Sequence, residues 1–130
     1  MILKAFEINK INSIKKKYFL FYGENEGFKN QVIKEKFEVS FTNEIYRYDE
    51  KDLLDNENLF FENILNKSFF ETEKLIIISR ASDKILKIIE EIVEKEINDI
   101  TLIISSKILE KKKKIRKYFE KEKNLVCVHF

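Results

Sequence analysis

The sequence predicts an α/β domain: a mostly parallel five-stranded sheet with helices on both of its faces. Three observations predict it. Five short runs rich in Ile, Val, Phe and Tyr recur along the chain, continuous more often than alternating, as strands covered on both faces read. Between those runs lie segments whose apolar residues fall at helical spacing. Proline is absent and glycine occurs only twice, which leaves few forced turns and disfavours a small-stranded sandwich or barrel. Strand then helix, repeated along nearly the whole chain, implies right-handed crossovers.

The elements follow in order. Residues 18–22, Tyr-Phe-Leu-Phe-Tyr, form the first strand. In residues 28–37 the positions Phe28, Val32, Ile33 and Phe37 fall on one helical stripe. A second strand covers residues 45–48, and residues 55–65 carry Leu59, Phe60, Ile64 and Leu65 at helical spacing. The third strand is residues 75–78. Ser82 caps a helix whose inner face is Ile85, Ile88, Ile89, Ile92 and Val93. The fourth strand is residues 100–104. The helix 108–119 follows, with Ile108, Ile115, Tyr118 and Phe119 inward and lysines between them. Residues 125–130 form the fifth strand. The 130 residues hold one domain, which buries about two-thirds of its unfolded surface on folding. Because the chain finishes inside an apolar strand, it reads as a domain of a longer protein.

With 44% hydrophobic and 37% charged residues, the composition is globular rather than disordered. Lys+Arg 25 against Asp+Glu 23 leaves a net charge of +2, which argues against a generic nucleic-acid binder. Cys127 has no partner for an internal disulfide, and a reducing cytosol is the expected compartment. The first residues break their apolar character with Lys4 and Glu7, so no signal-peptide core is present. None of the apolar runs is long enough to span a bilayer, and a cytoplasmic location is expected.

The first strand leads into Gly23-Glu24-Asn25-Glu26-Gly27-Phe28-Lys29-Asn30 and then a helix. This is where nucleotide-binding α/β domains keep a phosphate-cradling loop of Gly, four residues, Gly-Lys-Ser/Thr. The Lys register survives at Lys29, but three requirements fail. Phe28 puts a bulky side chain where backbone must approach phosphate. Asn30 has no hydroxyl for Mg²⁺. Glu24 and Glu26 would face phosphate oxygens, where a like charge near 4 Å costs about 1–4 kcal/mol. An acidic residue closing a hydrophobic strand, which would help hold the metal, is missing too: residues 75–78 are followed by Ser79 and Arg80, and residues 100–104 by Ser105 and Ser106. No cofactor is expected.

Other candidate chemistry is sparse. His129 is the single histidine, so neither a triad nor a His-based metal site has a second member. Cys127 in an apolar strand reads as an inert core thiol. Glu90-Glu91 and Asp49-Glu50 read as solvated pairs without a dry pocket to separate their pKa values. No catalytic residue is assigned. Lys111 to Lys114, with Arg116, Lys117, Lys121 and Lys123, form the one basic cluster. It reads as a solvated helix exterior, with Glu110, Glu120 and Glu122 diluting its field; the other reading is a weak, salt-sensitive contact with a phosphate backbone. In Leu65-Asn66-Lys67-Ser68-Phe69-Phe70, two adjacent rings at a helix end point about 100° apart. Either a loop bends back and buries both, or at least one stands at the surface, as paired aromatic anchors of an interface do.

Taken in order, these stretches resemble the N-terminal domain of the delta subunit of the bacterial DNA polymerase III clamp loader. Residues 18–26 look like that family's first strand and degenerate phosphate loop. Ser68-Phe69-Phe70 followed by residues 75–78 is similar to its pattern of Ser, aliphatic, Phe, polar gap and apolar strand. Residues 101–104, 109–115 and 125–130 follow its fourth strand, Lys-rich helix and fifth strand. The resemblance implies a RecA-like fold of the AAA+ kind without a working ATPase site, lacking here the family's lid and collar. It implies binding to the ring-shaped sliding clamp (the beta subunit), help in opening that ring, and ATP hydrolysis left to other loader subunits, which the missing C-terminal regions would contact. The clamp contact maps to Leu65, Ser68, Phe69 and Phe70, with Phe69 replacing the family's aliphatic residue and Leu65 a polar one. Lys111, Lys112 and Lys114 are the candidate DNA-facing residues. Two other readings stand beside it: a P-loop kinase or ATPase with an atypical loop, and an α/β scaffold with a basic face for DNA.

Overall fold

In the computed structural model of the chain, residues 1–13, 15–41, 45–65, 73–97 and 99–130 are described. Six strands form the sheet: β1 (Ile2–Lys4), β2 (Tyr18–Tyr22), β3 (Ile45–Asp49), β4 (Lys74–Ser79), β5 (Ile100–Ser106) and β6 (Leu125–His129). Their order is β1-β6-β2-β5-β4-β3, and every neighbouring pair is parallel. The five expected strands are all present. The sixth, β1, pairs only with β6 at the sheet's edge and buries a single side chain, Leu3, between exposed Ile2 and Lys4.

Both faces are covered, which explains the continuous apolar runs. On one face Leu20, Ile76, Ile78, Leu102, Ile104, Leu125 and Cys127 meet the helices α3 (Glu57–Leu65), α4 (Leu86–Glu94) and α5 (Lys114–Lys121) through Phe60, Ile64, Ile88, Ile89, Ile92, Ile115 and Phe119. On the other, Phe19, Phe21, Leu75, Ile77, Ile103, Val126 and Val128 meet Ile8 and Ile11 of the 3-10 stretch Ala5–Ser13, and Val32 and Ile33 of α1 (Glu26–Ile33). Connections running toward the β3 edge lie on the second face and those running back lie on the first, as one crossover hand requires.

Several helix boundaries differ from expectation. The segment 28–37 divides into α1 and a π turn, Lys34–Glu38, closed by Val39 N–H donating to the Lys34 carbonyl at 3.0 Å. The turn keeps Phe37 in the core, its ring 5.0 Å from that of Phe19. A short helix α2 (Glu50–Asp55) precedes α3, and only Glu50 and Leu53 of it are buried. The basic segment is not helical from residue 108: α5 begins at Lys114, so Lys111, Lys112 and Lys113 lie before it. Three consecutive solvated lysines have no apolar face to commit to a helix. Ser82 caps as expected, its hydroxyl accepting from Lys84 N–H at 3.3 Å where a 3-10 turn enters α4. Among the described residues, no helix is long and apolar enough to cross a membrane.

Candidate functional site

In an open parallel sheet a ligand crevice forms where neighbouring strands send their connections to opposite faces. Here β2 and β5 are such a pair: β2 continues into α1 on one face and β5 continues toward α5 on the other. Their C-terminal ends carry the loop that begins at Gly23 and the backbone of Ser106 and Lys107.

The chain itself fills this crevice. Gly23 has φ +130, and a Cβ there would collide with the Phe130 carbonyl, so glycine is required by packing and backbone conformation. Its N–H donates to the Lys107 carbonyl at 3.1 Å, and Phe130 N–H donates to the Tyr22 carbonyl at 2.7 Å. Asn25 caps α1: its side-chain oxygen accepts from Phe28 N–H at 3.1 Å and its carbonyl from Lys29 N–H at 3.0 Å. Lys29, the residue in phosphate-binding register, is 0% exposed. Its ammonium pairs with the Glu26 carboxylate one turn earlier and donates to the Ser106 carbonyl at 2.5 Å. The Glu26 carboxylate therefore engages Lys29 while staying half-exposed, and Glu24 and Asn30 are exposed. Phe28 packs edge-on against the Phe130 ring, centroids 5.4 Å apart. A buried ammonium needs a carboxylate and carbonyl around it, and here both come from within.

Beside the crevice, a carboxylate that sequence reasoning placed in solvent is buried. Glu50, the first residue of α2, accepts from Ser82 N–H at 2.7 Å and from the Ser82 hydroxyl at 2.9 and 3.0 Å. Its position directly after an apolar strand was the available signal. The Ser106 hydroxyl donates to the Ala81 carbonyl at 2.8 Å, and Asp49 holds Arg80, whose φ is +54, at 2.5 Å. These polar groups bind one another and stitch β3, β4 and β5 together. Among the described residues, no cluster of three or more His, Cys, Asp or Glu is arranged to hold a metal ion.

Leu65 of the second predicted site lies at the sheet's other end. Leu65 closes α3 and is 48% exposed; Ser68, Phe69 and Phe70 fall outside the described residues. What flanks them is defined. Lys74, the first residue of β4 and 2% exposed, donates to the Asn63 carbonyl at 2.7 Å and reaches the Ile64 carbonyl at 3.5 Å. A cation on the last carbonyls of a helix satisfies groups that have no intrahelical partner. Sequence reasoning missed Lys74, because a lysine opening an apolar strand reads as solvent-facing.

The remaining candidates are placed as follows. Lys111, Lys112 and Lys114 are exposed, with Lys112 3.3 Å from Glu110. Arg116 is not part of a solvated basic face: it bonds the Leu109 carbonyl at 2.8 Å and Glu120 at 3.2 Å, and lies 4.9 Å from the centre of the Tyr22 ring. His129 stacks on Tyr22 at 4.7 Å; burial first, then the charges of Lys4 and Arg116, hold its pKa below the usual imidazole range. Burial pushes the Cys127 thiol up to about 12, an unreactive state.

A family model described as DNA polymerase III, delta subunit, matches residues 19–129. None of the curated proteins matches the chain.

Proposed function

Because the chain belongs to the DNA polymerase III delta subunit family, which implies a clamp-loader role in replication, we propose that it is an AAA+-like domain that binds the sliding clamp and does not hydrolyse ATP. The match over residues 19–129 is the observation that carries this reading. The clamp contact is made by Leu65, Ser68, Phe69 and Phe70, between the end of α3 and the start of β4. Each aromatic ring, once desolvated, contributes about 1.5–3 kcal/mol from area alone. Opening the ring needs no chemistry in this domain. Tighter binding to an opened or strained clamp than to the closed ring shifts that equilibrium by the difference in affinity.

The non-hydrolysing half of the reading is supported by Lys29, whose ammonium is already engaged by Glu26 and Ser106. Other loader subunits supply ATP hydrolysis and are met through regions outside this domain. Lys111, Lys112 and Lys114 make at most a weak, salt-sensitive contact with DNA. The protein works in the cytoplasm, without a membrane partner.

The test is binding to the organism's clamp by surface plasmon resonance. Phe69→Ala with Phe70→Ala abolishes binding and leaves the thermal midpoint nearly unchanged; a large drop in that midpoint makes the pair core rather than interface. Calorimetry with ATP and Mg²⁺ shows no saturable heat, and micromolar binding would restore the rival reading of a P-loop enzyme.

A further inference from the structure

A cleft of about 350 Å³ opens at the C-terminal ends of β4 and β5, between Arg80–Asp83 and Lys107–Lys113. It adjoins the polar network of Glu50, Ser82, Ala81 and Arg80 and lies apart from Leu65 and Lys74. Ile108 lines it and is 59% exposed, while the next residue, Leu109, is buried. Around Ile108 stand the cations Arg80, Lys107 and Lys113. Arg80 is held by Asp49, whereas Lys107 and Lys113 have no ion-pair partner among the described residues. The one carboxylate in the lining, Asp83, accepts from Ile115 N–H at 2.9 Å. The charge is concentrated here: residues 107–117 hold seven cations and one acid, Glu110, in a chain whose net charge is only +2.

We propose that this cleft docks an acidic segment of another protein, with an aliphatic side chain seated over Ile108 and carboxylates on Lys107 and Lys113. Charge complementarity sets the sign of the partner, and Ile108 sets its class. Phosphate backbones are bound by charge and hydrogen bonds, to which an exposed aliphatic surface adds nothing, whereas protein interfaces place an apolar centre inside a polar rim. This end of the sheet is opposite to the one that carries Leu65 and Lys74, so both surfaces can be occupied at once.

The test is a fluorescence-anisotropy titration with a labelled synthetic peptide carrying two leucines between acidic flanks. The comparison probes are the same peptide with serines for leucines, and single-stranded and duplex DNA oligonucleotides. Ile108 is exposed, so Ile108→Ser leaves the fold intact. The expected result is peptide binding that weakens by about tenfold in Ile108→Ser and for the serine peptide, and also in Lys107→Gln with Lys113→Gln. Equal binding of both peptides, no peptide binding at low salt, or DNA binding tighter than the peptide and lost in the lysine variant would each overturn the proposal. The last outcome would make the cleft a nucleic-acid surface.

Discussion

Lys29 and Lys74 lie buried at opposite ends of the same sheet, one where β2 and β5 finish and the other where β4 begins. Each donates to backbone carbonyls, yet the consequences differ. Lys29 reaches across the crevice where a ligand would sit and joins Glu26 and Ser106, so its charge is spent within the fold. Lys74 reaches back to the last turn of α3 and ties that helix end to β4. The first contact occupies a place where an outside group would otherwise bind. The second fixes the two ends of a segment proposed to reach out to another protein. A buried lysine thus has no fixed meaning; what matters is whether its carbonyls belong to a crevice or to a helix terminus.

The largest expected effect comes from Lys29→Ala. It strands the Ser106 carbonyl and leaves a cavity, and should cost about 2–4 kcal/mol in urea unfolding, the share of half-exposed Glu26 being discounted. Clamp affinity should not change, and a gain of ATP binding in this variant would undo the distinction between the two ends. Gly23→Ala follows, at about 2–3 kcal/mol, since it forces an L side chain to φ +130 against the Phe130 carbonyl; an unchanged unfolding midpoint would show that the loop is not packed as described. Lys74→Met keeps the apolar stem and loses the carbonyl contacts, for about 1–2 kcal/mol. Unlike Lys29→Ala, it should also weaken clamp binding, by about tenfold or less; equal clamp affinity in both variants would break the comparison. The smallest effect is in pH. His129 has a lowered pKa when folded, so the unfolded chain takes up its proton first, and stability falls as pH drops through about 6.5. Denaturation midpoints on either side of that value should differ less in His129→Gln.

The sheet was legible because strands buried on both faces show as unbroken apolar runs, and all five of those runs became strands. The edge strand β1 was not, since three residues with one inward side chain carry no periodicity. Neither was α2, whose six residues bury only Glu50 and Leu53. At the crevice the residues in register were readable, but not the burial of Lys29; its spacing of three from Glu26 was the one hint of an internal pair. The lysine run gave no sign of where α5 begins, because no apolar position between Leu109 and Ile115 pins the helix. Local physics singled out Phe69 and Phe70 as adjacent rings at a helix end but left open whether they are buried; only the resemblance gave them a partner, and both lie outside the described residues.

The pair formed by Lys29 and Glu26 also bears on how this domain can evolve. Glycine in place of Phe28 makes room for a phosphate while the lysine stays tied up. Loss of Glu26 frees the lysine but leaves its charge stranded indoors, and a hydroxyl at position 30 has nothing to hold until both other changes are made. The first two steps weaken the fold, and none of the three returns a ligand by itself. Selection acting one substitution at a time would therefore keep this pocket shut.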